Sequence, residues 1–157
     1  MKQKNYQNLT KNTLGKLPVW NLKDLYESPK ARNLNNDLNK LRKITKKFEK
    51  KYSSKIVKLR PNQLLKAIIE LEDIDTKMDK IMCYAHLLVA EDGNNEQNKI
   101  FYQQMQEQIT NIASSIVFFS LELNEISEVN FKKIYNDKRL KTYKNWIKNI
   151  RKFKPYQ

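Results

Sequence analysis

Only two glycines and four prolines occur among 157 residues, which leaves little material for tight turns, β-hairpins or a glycine-rich phosphate loop. A single cysteine, Cys83, excludes an internal disulfide; a lone thiol in an apolar run reads as a small buried hydrophobe in a reducing compartment. There is one histidine, His86, too few for a hydrolytic zinc site, which needs two or three imidazoles or equivalent ligands. Long apolar runs are missing too: Ile81 to Ala90 and Ile112 to Leu121 span about ten residues each, against the roughly 20 that a membrane-spanning helix requires. Met1 to Lys16 lacks the apolar centre of a secretory signal. These absences favour an all-α chain with few, short connections, no membrane partner and a cytoplasmic location.

What is present is helical periodicity. Leu64, Ile68, Leu71, Ile74, Met78, Ile81, Ala85 and Leu88 recur at steps of three and four, which places them on one stripe of a helix. Phe101, Met105, Ile109, Ile112, Ile116, Phe119 and Leu123 do the same further on. Between the two stripes stands Asp92-Gly93-Asn94-Asn95, in which Gly93 can take the left-handed conformation that ends a helix and Asn94 or Asn95 can cap the next. The expectation is an antiparallel hairpin of two long helices from Pro61 to Ile126, each arm roughly 43 Å long. From Ile112 to Leu123 the second arm is apolar nearly all round, so this end has to be covered on every side.

Flanking helices complete the expected fold. Residues 1–16 read as a disordered basic tail and residues 17–157 as one helical domain. Trp20, Leu22, Leu25 and Tyr26 anchor its start, with Asn21 capping a short turn. Ser28-Pro29 offers a cap and first-turn proline for a helix whose buried stripe is Leu34, Leu38, Leu41, Ile44, Phe48 and Tyr52, ending near Ser53-Ser54. Ser127 caps a short helix holding Val129, Phe131, Ile134 and Tyr135. A last helix from about Leu140 to Phe153 turns Tyr143, Trp146, Ile147, Ile150 and Phe153 inward and Lys141, Lys144, Lys148, Arg151 and Lys152 outward, and Pro155 ends it.

The formal charge of +14 is unevenly spread. Lys40 to Arg60 holds ten basic residues and one acidic, as does Phe131 to Gln157, whereas Asn62 to Asn130 holds four basic and twelve acidic. The basic flanks can therefore lie on the acidic hairpin. A basic surface also suits nucleic acid, and the aromatic and basic residues from Tyr143 to Tyr156 suit a stripe of stacked bases, but their helical spacing favours a core-facing stripe. Cys83 and His86, one turn apart, lack a second ligand pair, and packing is the simpler role. Glu70, Glu72, Asp73, Asp75 and Asp79 read as a solvated face or as partners of the basic flanks.

Three stretches resemble the N-terminal region of oligoendopeptidase F, in the thimet-oligopeptidase-like zinc metallopeptidases. Leu17-Pro18-Val19-Trp20-Asn21-Leu22-Lys23-Asp24-Leu25-Tyr26 is similar to that family's L-P-x-W-D-L-x-D-L-Y, with Asn21 replacing the usual aspartate. Tyr84-Ala85-His86-Leu87-Leu88 and Phe118-Phe119-Ser120-Leu121-Glu122-Leu123-Asn124 resemble Y-x-x-L-L and F-F-x-x-E-L-N. Tyr143-Lys144-Asn145-Trp146-Ile147 and Arg151 to Gln157 follow in the same order. The resemblance implies a helical lobe forming one wall of a deep channel that admits short unfolded peptides. It also implies a parent enzyme whose zinc is held by H-E-x-x-H and a later glutamate, with the motif's own glutamate activating water. That motif is not in this sequence, so the chain is expected to be cut before its C-terminal catalytic domain, to contribute no catalytic, cofactor-binding or metal-binding residue, and to be inactive alone. The alternatives are a basic helical module for nucleic acid and a helical adaptor.

Overall fold

The computed structural model describes residues 21–154; the tail over residues 1–16, the Trp20 anchor and the Pro155 stop lie outside the described residues. Among the described residues there are six α-helices, α1 (Arg32–Tyr52), α2 (Pro61–Glu91), α3 (Glu96–Ser114), α4 (Phe118–Glu125), α5 (Glu128–Asn136) and α6 (Lys144–Arg151), with 3-10 turns at Leu22–Asp24, Ile56–Lys58 and Lys138–Tyr143. Among the described residues there is no strand.

The acidic hairpin is the spine. Pro61 occupies the first position of α2, where its missing N–H has no helical partner to lose, and Gln63 Oε1 accepts from the Arg60 N–H at 3.0 Å. Helix α2 runs for 31 residues, roughly 46 Å at the usual rise. The Tyr84 ring meets Phe101 at 6.0 Å and the Asn98 amide donates to the Leu88 carbonyl at 3.0 Å. Numbers fall on one helix as they rise on the other, so α2 and α3 are antiparallel. Helix α1 lies antiparallel to α2 on the same test, through Lys51 to Glu70 at 2.5 Å and Lys80 to Asp37 at 3.6 Å. Such exposed pairs contribute about 0–1 kcal/mol each. The stripes matter more: Leu34, Leu38, Leu41, Phe48, Leu64, Ile68, Ile81 and Ala85 are buried, and each large apolar side chain removed from water stabilises by about 1.5–3 kcal/mol.

Several boundaries differ from expectation for identifiable reasons. Helix α1 starts at Arg32, because Ser28 and Pro29 instead build a preceding turn in which the Ala31 N–H donates to the Ser28 carbonyl at 3.0 Å. Helix α2 ends with Asp92 in extended conformation, and Gly93 does not enter the left-handed region. The cap of α3 is, as expected, one of the two asparagines: Asn95 accepts from the Gln97 and Asn98 N–H groups. The largest correction is the second arm, which is two helices. Ser114 Oγ turns back to the Asn111 carbonyl, and the Ser115, Ile116 and Phe119 N–H groups each donate three residues back, to Ile112, Ala113 and Ile116. The winding tightens there, yet Ile112, Ile116, Phe119, Leu123 and Ile126 still follow at steps of three and four and are buried, while Val117 and Leu121 stay exposed. The last helix is likewise shorter than expected, since Lys138 to Tyr143 winds as a 3-10 run before α6.

Two charged side chains fix α4. Glu122 accepts from the Ser54 N–H at 2.5 Å and the Ile56 N–H at 3.0 Å. Ser54 has φ 64°, the one non-glycine residue in the left-handed region among those described, a conformation that costs on the order of 1 kcal/mol. At the other end, Arg151 does not face outward as its position in the basic run suggests. Its side chain is 7% exposed, and its guanidinium donates to the carbonyls of Leu123, Asn124 and Ile126 at 3.0, 3.3 and 3.0 Å and to Glu128. It also lies 4.2 Å from the Phe131 ring centre.

Two substitutions check this account by urea denaturation. Gly93→Ala is expected to leave stability unchanged or raise it by up to about 1 kcal/mol, because the added methyl finds only the Val89 carbonyl, at 3.8 Å, and the unfolded chain loses freedom; a clear loss would mean that the turn needs glycine. Arg151→Met is expected to cost about 2–3 kcal/mol by leaving three carbonyls without their charged donor, and Arg151→Lys to recover only part of it. A neutral Arg151→Met result would contradict the capping role.

Candidate functional site

The residues that could carry chemistry are not brought together. Cys83 is exposed, contrary to the expected buried position, because the inward stripe of α2 passes through Ile81, Tyr84 and Ala85 and leaves position 83 on the outer side. His86 is exposed as well, with its ring 6.2 Å from Tyr102. No third ligand joins them: among the described residues there is no group of three or more histidine, cysteine, aspartate or glutamate side chains placed to hold a metal ion. The residues present do not fit the zinc that the family resemblance implies, and no step through a metal is assigned to them.

The carboxylates of α2 divide between ion pairing and a cleft. Glu70 accepts from Lys51 and from the Tyr52 hydroxyl at 3.0 Å, and Asp73 pairs with Lys77. Glu72 and Asp75 instead face the segment before α6. The Tyr143 hydroxyl donates to Glu72 at 2.6 Å, and with Thr142 and Trp146 these groups line a cleft of about 240 Å³ floored by Ile68 and Leu71. Burial, reinforced by Asp79 and then by Glu72, pushes the Asp75 carboxyl above its ordinary value.

Trp146 stands between this acidic cleft and a second, apolar one. The second, of about 420 Å³, lies between α4 and α6 and is lined by Trp146, Ile150 and Phe153 with Ser120, Asn124 and Asn149. Trp146 and Phe153 were expected in the core, yet both are exposed, Phe153 at 65%. Phe119 and Leu123 are buried on α4, the Phe119 ring lies 6.3 Å from Trp146, and only Ile147 of α6 is fully buried. Val129 on α5 is exposed too. Asn124 is 2% exposed, and neither side-chain atom of its amide has a hydrogen-bond partner, although a buried amide normally finds one. Val117, Ser120, Leu121 and Asn124 follow at helical steps along one side of α4, which extends the apolar surface beside this cleft. Among the described residues, no helix is long and apolar enough to cross a membrane.

In the F-F-x-x-E-L-N stretch, Phe119 and Leu123 pack, Glu122 caps the Ser54 turn and Asn124 lies at the apolar cleft. Glu122 and Arg151 escaped the periodicity reading because it sorts residues by face, whereas both act by reaching backbone groups far away in sequence. The salient signal was present only for Arg151: a basic residue one turn after Ile147 on a short amphipathic helix.

Asp75 supplies a pH test. Its carboxyl sits higher in the folded chain than in the unfolded one, so the folded state is favoured by protonation, and that advantage disappears as pH rises through the folded value. Asp75→Asn is therefore expected to raise the urea midpoint at pH 7, with the gain shrinking as pH falls through the ordinary carboxylate range. A gain independent of pH would rule out ionisation as its source.

No protein-family model, curated protein or solved structure matches this chain.

Proposed function

We propose that this chain is the N-terminal helical lobe of a cytoplasmic zinc oligoendopeptidase, forming part of a channel wall for short peptides and contributing no catalytic residue. The observation that carries the reading is the surface around Trp146. Large apolar side chains at Val117, Leu121, Trp146 and Phe153 stay exposed along α4 and α6, beside a cleft whose buried Asn124 amide has no partner. Apolar surface with a satisfiable polar group at its floor is what a lobe presents to the rest of a larger protein. The ordered likenesses at Leu17 to Tyr26, Tyr84 to Leu88, Phe118 to Asn124 and Tyr143 to Gln157 support the choice of family. In this reading the rest of the enzyme packs on the Trp146 face, and the zinc and its ligands belong to that other part.

The decisive measurement is mass spectrometry of the native polypeptide isolated from its source cells, together with a peptide-cleavage assay. The expected result is a chain heavier than 18.8 kDa that contains H-E-x-x-H and cleaves short peptides until a chelator is added. Residues 1–157 alone are expected neither to cleave peptides nor to retain stoichiometric zinc. A native mass of 18.8 kDa, or chelator-sensitive cleavage by these residues alone, overturns the reading.

A further inference from the structure

A separate cleft lies where α1 and α3 run side by side. It measures about 240 Å³ and is walled by Arg42, Thr45 and Lys46 from α1 and by Gln108, Asn111 and Ser115 from α3 and its end, over Ile112. No carboxylate lines it. Among the described residues neither Arg42 nor Lys46 takes part in an ion pair, so the cleft holds two positive charges without a counter-charge.

The Arg42 guanidinium is held in place by neutral acceptors. It donates to Gln108 Oε1 at 2.6 Å and to Asn39 Oδ1 at 3.1 Å; a guanidinium has five N–H donors, so donors remain free. Thr45 adds an independent observation. The residue is 2% exposed, and its hydroxyl has no hydrogen-bond partner, although a helical threonine commonly bonds the carbonyl one turn back. The residue lines the cleft, and a turn about its χ1 bond would let that hydroxyl donate to a group bound there. Asn111 and Ser115 add an amide and a hydroxyl beside it.

We propose that this cleft binds the phosphate of a small phosphomonoester. The two cations match the two negative charges of such a group at neutral pH, and a planar guanidinium beside an ammonium and neutral donors is a recurrent way of holding phosphate oxygens. A carboxylate would leave one of the charges uncompensated. The cleft is independent of the Trp146 face and of any peptidase role.

Isothermal titration calorimetry at matched ionic strength tests this with glycerol 2-phosphate, inorganic phosphate, acetate and a single-stranded RNA oligonucleotide. Saturable one-to-one binding of glycerol 2-phosphate is expected, with inorganic phosphate competing and acetate at least tenfold weaker. Arg42→Gln is expected to weaken binding roughly tenfold or more, and Thr45→Val roughly fivefold, with circular dichroism showing that both remain folded. Lys50→Gln, on the same basic helix but outside the cleft, is expected to change affinity less than twofold. The proposal is overturned if no saturable binding occurs, if acetate binds as well, or if Thr45→Val leaves affinity unchanged. RNA binding that Lys50→Gln weakens as much as Arg42→Gln, without displacement by glycerol 2-phosphate, also overturns it and assigns the charge to a diffuse polyanion surface.

Discussion

Where α4 ends, three carbonyls have no further helix to receive their hydrogen bonds, and a single guanidinium meets all three. Arg151 stands 3.0 to 3.3 Å from the oxygens of Leu123, Asn124 and Ile126, with its charge balanced by Glu128. Losing that donor costs about 2–3 kcal/mol, comparable to the burial of a leucine. Once that end is closed, α4 can be as short as eight residues and still hold its place, and α6 is held across it. Glu122 does the complementary work at the other side, binding the N–H groups of a strained turn that would otherwise be unpaired.

These contacts explain how the chain handles a helix stretch that is apolar on every side. A continuous helix through Ile112 to Leu123 would present a full ring of hydrophobic side chains that α1 and α2 cover on one side only. The winding tightens after Ser114 instead, and α4 sets Phe119 against Phe48 and Glu122 on the Ile56 turn. Val117, Leu121, Trp146 and Phe153 stay exposed on and beside α4 and α6, while Ile69, Ile100 and Val129 are exposed elsewhere.

The all-α architecture, the hairpin of α2 and α3 and the stripes of α1 and α2 were legible because burial repeats every three to four residues over long spans. Leu64 through Ala85 follow that rule without exception. It failed at a single position of the longest helix and along the short last one. Position 83 lies on the outer side of a stripe only one residue away, and Trp146 and Phe153 share a helical face with Ile147 and Ile150 yet extend past the material available to cover them. Turn chemistry was ambiguous as well, since Gly93 permits a left-handed residue without requiring one. The phosphate cleft had no sequence signal at all: it brings residues near position 45 beside residues near position 111, and only the packing of α1 on α3 puts them together.

The reach of the two charged side chains also imposes an order in time. Glu122 follows Ser54 by 68 residues, and Arg151 follows the carbonyls it serves by 25 to 28. During synthesis α1, α2 and α3 can pair as successive hairpins soon after each emerges. The turn after α1 must wait for α4, and the end of α4 for α6. The molecule thus closes from its first helices toward its last, with each later segment completing a backbone left open by an earlier one.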